Sequence, residues 1–243
     1  MFLRKVLVLL ALGVVLPVFL VIAAVAYPFD RRKRFAFFLA RLWARILLAA
    51  AGAKVEFKGK EKLPKPPAIM VSNHISHMDV PSFLANIDVP LVFLTKSSLY
   101  RIPVFGFALK LLGMVPVHRH DPSRRKHALT DAEKLVKMGF EAYIFFFPEG
   151  TRSRDGKLLP FKRGAFVMAK RTKLPLVVVR VSGSNKVLPP DSLKLSSGNI
   201  KVEVIDTIYP DRFEDWDVET FVDRVRAMLE AQAGEVTGGK AVA

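Results

Sequence analysis

No charged residue occurs from Val6 to Tyr27, a run of 22 residues. As a helix it would be about 33 Å long, enough to cross a bilayer or enter it deeply. Arg4 and Lys5 precede the run, and Asp30-Arg31-Arg32-Lys33-Arg34 follows Pro28. A second apolar stretch, Phe35 to Ala51, is broken only by Arg41 and Arg45. With Arg34 these arginines fall at i, i+7 and i+11, which predicts a helix with a narrow basic stripe lying at headgroup level, with Trp43 as its interfacial anchor. Pro17 predicts a kink that would let the first helix turn within one leaflet. Both flanks of the first run are positive, so the excess of Lys and Arg in cytoplasmic loops gives no orientation for a single crossing. A secretory signal is the competing explanation, but the apolar run exceeds the usual ~7–15 residues of such a segment.

After Lys54 the period changes. Val55–Phe57, Ala68–Ser72, Leu91–Thr95, Met114–His118, Ala142–Phe147, Leu176–Val181 and Ile200–Ile205 read as strands. Asp79–Ala85, Pro103–Leu112, Pro122–Met138, Gly164–Thr172 and Val218–Gln232 read as helices, with Gly113 and Gly139 as stops. Tyr143–Phe147 and Leu176–Val179 are apolar at every position, the mark of strands covered on both faces. The pattern predicts an α/β fold with a mainly parallel, mixed central sheet flanked by helices. Residues 1–53 would form a two-helix membrane anchor and residues 54–243 the α/β domain.

Charge narrows the partners. The formal net charge is +16, with 18 basic against 6 acidic residues over 96–180 and 11 against 2 over 1–60. Such an excess asks for an anionic partner: a phosphorylated substrate, a membrane surface or nucleic acid. The basic clusters lack interleaved aromatics, which argues against nucleic acid. There is no cysteine, which removes disulfides, thiolate metal sites and a cysteine nucleophile.

Candidate chemistry gathers at strand ends, where open α/β sheets bind ligands. Ala68–Ser72 leads into Asn73-His74-Ile75-Ser76-His77-Met78-Asp79. Five residues separate His74 from Asp79, one too many for neighbours on a regular helix, so the turn must fold the carboxylate back onto the imidazole. The pair would then be a general base, the aspartate fixing the tautomer and leaving the other ring nitrogen free. A purely structural His–Asp pair competes with that reading. So does a metal site of His74, His77 and Asp79, which lacks a further acidic or His-rich cluster. The second strand-end group is Phe147-Pro148-Glu149-Gly150-Thr151-Arg152-Ser153. Its glycine permits close backbone approach, its hydroxyls and amides can bind an oxyanion, and Arg152 can grip a phosphate with two prongs. Arg119, after His118, is a third strand-end cation. Solvated surface roles compete for each arginine.

Taken together, Asn73-His74-x-x-x-x-Asp79, Gly113-x-x-x-x-x-Arg119, Phe147–Ser153 and Leu174-Pro175-Leu176-Val177-Val178-Val179 resemble the four ordered blocks of the glycerolipid acyltransferases, over roughly residues 54–210. Within that family they look most like the bacterial 1-acylglycerol-3-phosphate acyltransferases. The resemblance implies that His74 is the base and Asp79 its orienting partner. Arg119, Glu149 and Gly150 would bind the glycerol phosphate, joined by Thr151 and Arg152. It implies transfer of a fatty acyl group from acyl-CoA or acyl carrier protein to the sn-2 hydroxyl of lysophosphatidic acid, at the cytoplasmic face of the inner membrane. No metal or other cofactor is implied, and no nucleic-acid partner. Glycerol 3-phosphate or another lysophospholipid is an alternative acceptor, and a membrane-bound metal-dependent phosphohydrolase an alternative class. The fourth block departs from the family in having Val178 where a second proline is usual. No Gly-x-Ser-x-Gly elbow is present, so direct transfer without an acyl-enzyme is expected.

Overall fold

The computed structural model of the protein describes residues 2–118 and 121–238. It begins with one apolar rod made of α1 (Phe2–Leu10), a π-helical turn (Ala11–Val15) and α2 (Leu16–Ala26). The wide turn falls just before Pro17, the second residue of α2, where a proline without an N–H disturbs the helical ladder. The chain reverses at Tyr27–Lys33 and returns as α3 (Arg34–Ala51), which Gly52 closes in the left-handed conformation.

The body follows as β1 (Ala53–Lys58), β2 (Ala68–Ser72), α4 (Asp79–Asn86), β3 (Leu91–Lys96), α5 (Pro103–Leu112) and β4 (Val115–Val117). Next come α6 (Pro122–Lys137), β5 (Tyr143–Phe146), α7 (Gly164–Thr172), β6 (Leu176–Ser182) and α8 (Ser184–Val187). The chain continues with β7 (Gly198–Ile208), α9 (Pro210–Phe213) and α10 (Val218–Gly238). The sheet order is β1-β7-β6-β2-β5-β3-β4. Five strands run one way; β7 pairs antiparallel with β6, and β1 pairs parallel with β7. The starts of β1 and β7 therefore lie at the end where β2, β5 and β6 finish.

Alternation along the central strands builds two cores. Met70, Phe145, Val177 and Val179 face α3 and α4, meeting Trp43, Leu47 and Phe83. Ile69, Val71, Ile144, Phe146 and Val178 face α6, α7 and α10, meeting Ala128, Phe166, Phe221 and Leu229. Phe83, Phe145, Phe166 and Phe221 are fully buried, each a gain of about 1.5–3 kcal/mol in transfer terms.

The helical layer corrects one expectation. α3 buries Phe37, Trp43, Ala44, Leu47, Leu48 and Ala51, and shares its core with the sheet, so residue 53 divides helix from strand but not one core from another. The basic stripe is held by protein partners: Arg41 is largely covered, while Arg34 and Arg45 keep exposed surface. Arg45 Nε donates to the Ala85 carbonyl at 3.0 Å, Arg41 pairs with Asp88 at 3.3 Å, and Arg34 pairs with Glu141 at 3.2 Å. The Ala85 carbonyl, in the last turn of α4, has no helical donor to meet it, and Arg45 satisfies it. Trp43 is not at an interface with lipid; its Nε1 donates to the Ala11 carbonyl within the π-helical turn at 3.0 Å. The outward side of α3 is Phe35, Phe38 and Leu42.

Candidate active site

The loop between β2 and α4 is built from internal hydrogen bonds. As β2 ends, the Asn73 side chain takes over its pairing with β6: Nδ2 donates to the Val181 carbonyl and Oδ1 accepts from the Val181 N–H, both at 2.9 Å. Ser76 Oγ donates to the Leu188 carbonyl at 2.6 Å and accepts from the Met78 N–H at 3.0 Å. Asp79 opens α4 and is fully buried. Its Oδ2 accepts from the N–H groups of Ile75 and Ser76 at 2.8 and 2.9 Å and lies 2.7 Å from His74 Nδ1. A carboxylate only accepts, so Nδ1 carries the proton and Nε2 is left bare, the tautomer a base requires. Oδ1 accepts from the Ser184 hydroxyl at 2.5 Å. A position at the first turn of a helix also favours a negative charge.

The imidazole has a floor as well as a tether. Phe147, the residue after β5, stacks on His74 with ring centroids 3.9 Å apart and planes 18° from parallel. Phe83, Phe93 and Phe145 pack around Phe147. A ring face so close holds the imidazole plane and attracts it further once it gains a charge.

The loop after β5 is tied to the first. Glu149 is 4% exposed, with Oε1 accepting from the His74 N–H at 2.8 Å and Oε2 from the Leu159 N–H at 3.0 Å. Burial pushes its carboxyl above the ordinary value, and the two amides pull it back. The Ser153 N–H donates to the His74 carbonyl at 2.8 Å, so two backbone links flank the histidine. Gly150 has φ +69°, and a Cβ there would stand 2.5 Å from Lys162 Nζ; glycine lets that cation cross the loop. Arg152 Nη1 donates to the Pro190 carbonyl at 3.0 Å, Arg154 pairs with Asp191 at 2.6 Å, and Thr151 is exposed. His77 is exposed at the surface of the first loop. Partial burial first, then the nearby Arg152 and His74, push its imidazole below the ordinary value against pulls from Asp79 and Asp191.

His74, Asp79, Glu149, Gly150, Thr151 and Arg152 thus come together at the ends of β2 and β5. Arg119 lies outside the described residues; β4, the strand before it, ends at Val117. No three metal-ligating side chains converge among the described residues. Sequence reasoning missed Ser184, the floor at Phe147 and the brace made by Asn73. The signal for Ser184 was a Gly-Ser pair closing an apolar strand, the same strand-end position that singled out the other loops.

An imidazole held by a buried carboxylate, with cationic side chains beside it at the carboxyl ends of parallel strands, is the centre of this α/β fold's candidate site. The sequence pattern of the acyltransferase family matches residues 54–182, and this chain belongs to that family. It is 38% identical over 208 residues to the chloroplastic 1-acyl-sn-glycerol-3-phosphate acyltransferase of Brassica napus, covering 82% of this chain and 59% of that protein. To the 1-acyl-sn-glycerol-3-phosphate acyltransferase of Borreliella burgdorferi it is 29% identical over 197 residues, covering 81% and 78%. The chain thus spans less than two thirds of the plant protein's length. The crystal structure of the 1-acyl-sn-glycerophosphate acyltransferase from Thermotoga maritima shares the fold, with a TM-score of 0.72 over 98% of this chain and all of that one, at 23% identity.

Proposed function

We propose that the protein transfers a fatty acyl group from an acyl thioester to the sn-2 hydroxyl of 1-acylglycerol 3-phosphate, giving phosphatidic acid. The observation that carries this is the His74 imidazole, fixed through Nδ1 by Asp79 with Nε2 free at the strand ends. Nε2 takes the proton of the acceptor hydroxyl as its oxygen attacks the thioester carbonyl, and Asp79 stabilises the imidazolium that forms. When the tetrahedral intermediate collapses, the proton passes to the departing thiolate and the product ester is released. Arg152, with Arg119, holds the acceptor phosphate, and Gly150 and Thr151 line its approach. Glu149 acts through the backbone it braces. The names of the relatives support the acceptor. A +16 chain suits either acyl-CoA or acyl carrier protein as donor, because both bring negative charge.

The reading also places the enzyme on the cytoplasmic side of the cell membrane, lying on one leaflet with anionic headgroups as partners. Phe2–Ala26 is long and apolar enough to cross a membrane, and little of its most apolar stretch is buried. Yet it packs along the body: Arg4 lies over Gly52, Ala11 takes the Trp43 indole, and Leu20 and Ala23 join a small core with α3 and α5. A perpendicular crossing would drag the polar body into hydrocarbon; a rod lying in the leaflet does not.

The test is turnover of the purified protein with lysophosphatidic acid, glycerol 3-phosphate and other lysophospholipids against acyl-CoA and acyl carrier protein donors. Phosphatidic acid should be the main product. Faster acylation of glycerol 3-phosphate would move the assignment to that acceptor, and release of free phosphate would overturn it.

A further inference from the structure

We propose that Ser184 is a positioning residue of the catalytic group, the outer member of a Ser184–Asp79–His74 chain of hydrogen bonds. This rests on the general-base reading of His74. Asp79 is fully buried, and each oxygen has its own donors: Oδ2 faces the imidazole and two amides, and Oδ1 faces the Ser184 hydroxyl. The Oδ2 donors come from the loop that Asp79 itself terminates. Ser184 arrives from 105 positions away in sequence and fixes the far side of the carboxylate, so the group cannot rotate about its Cβ–Cγ bond without losing a bond.

The fold makes a specific effort to bring that hydroxyl in. β6 ends at Ser182, and Gly183 turns the chain at φ +79°, where a Cβ would stand 2.3 Å from the Asn199 carbonyl oxygen. Only glycine fits both the angle and the space. Ser184 then begins α8 with no exposed surface. The same strand holds the other side of the catalytic loop through Val181 and Asn73. β6 therefore aligns both the backbone before His74 and the carboxylate behind it. That gives a physical role to the strand formed by the fourth sequence block, whichever substrate lies nearest to it.

Without Ser184, Oδ1 loses the donor it has among the described residues, and the orientation that donor fixed relaxes. Ser184→Ala should lower kcat about tenfold and leave KM for both substrates unchanged. Ser184→Thr, which keeps the hydroxyl, should restore most of the rate. The readout that does not depend on turnover is the low-field proton resonance of His74 Nδ1–H, assigned by its loss in His74→Gln. It should move or broaden in Ser184→Ala and return in Ser184→Thr. Ser82→Ala is the control, because Ser82 is an equally buried hydroxyl that donates to the Met78 carbonyl at 2.7 Å and does not touch the carboxylate. It should cost similar thermal stability and leave the resonance in place. An unmoved resonance in a folded Ser184→Ala overturns the proposal, even if the enzyme acylates lysophosphatidic acid as expected. Equal movement in Ser82→Ala would do the same. Wild-type protein inactive on every acceptor would sink the functional reading while leaving the resonance test of Ser184 intact.

Discussion

The loops leaving β2 and β5 start from adjacent parallel strands and meet at His74, yet they use their polar atoms in opposite ways. In the first, Asn73, Ser76 and Asp79 are buried and each of these three side chains has internal partners. In the second, Glu149 and Ser153 are spent on the scaffold while Thr151 and Arg154 face solvent and Arg152 is half-buried. Proton transfer needs placement to within a fraction of an ångström, and a buried, internally bonded network is suited to supply it. An anionic group on a mobile lipid needs charge it can reach, and long cationic side chains supply that. On the proposed function, neighbouring strand ends divide the work between geometry and capture.

The sharpest way to break this contrast is at the rigid loop. His74→Ala should reduce kcat/KM by at least ~10³-fold with folding intact, and Asp79→Asn nearly as much, measured with lysophosphatidic acid and acyl-CoA. Substantial turnover by His74→Ala would show that the base lies elsewhere. His77→Ala probes the same loop outside the network and should keep most activity.

On the capturing loop the loss should be smaller and depend on the substrate. Arg152→Ala should weaken transition-state binding of a phosphate-bearing acceptor by ~2–4 kcal/mol, with Lys an incomplete replacement because it lacks the planar fork. Arg119→Ala should behave alike. A monoacylglycerol acceptor, lacking the phosphate, should be indifferent to both changes. Equal losses on that acceptor would remove the arginines from the phosphate site.

The joint between the loops is Glu149, and its replacement should act through stability. Glu149→Gln puts an amide donor against a backbone donor, at a cost of about 1–3 kcal/mol. The pH dependence has a definite sign. Burial raises the folded carboxyl above its ordinary 4.5, so the folded state keeps this proton longer than the unfolded chain. The group's contribution is full below the unfolded value and declines as pH rises through the folded one. The melting-temperature advantage of wild type over Glu149→Gln should therefore shrink on moving upward from about pH 4.5; a growing advantage would mean that the amides dominate over burial.

The helical layer offers the last and gentlest test. Because the native chain has no cysteine, single cysteines at Phe2 and Phe29 can be probed in intact cells with an impermeant thiol reagent. A rod lying in one leaflet leaves both positions on the cytoplasmic side and unlabelled. Labelling of position 2 alone would establish a one-pass anchor.

Much of this was legible in the residues. All seven strands were, because β-branched and aromatic runs such as Tyr143–Phe146 have no other plausible home, and so was the His74–Asp79 turn, because the strand before it fixes where the turn falls. The direction of β1 and β7 was not, since alternation such as Val55–Phe57 reads the same either way. Nor was the facing of Arg41 and Arg45: helical spacing shows that they share a side, but only the carbonyl of Ala85 and the carboxylate of Asp88 decide which side that is. Ser184 was hidden for the same reason, its partner lying 105 residues away.

The seam between the apolar rod and α3 has a practical consequence for anyone preparing the protein. The first thirty residues look like a detachable tag, to be trimmed for work without detergent. Trimming them would strip the Ala11 carbonyl from Trp43, and Leu20 and Ala23 from Ala36 and Leu39, leaving a greasy strip on the remaining protein. A shortened protein should gain no solubility and should aggregate along that strip, so detergent or nanodiscs belong in the purification from the start.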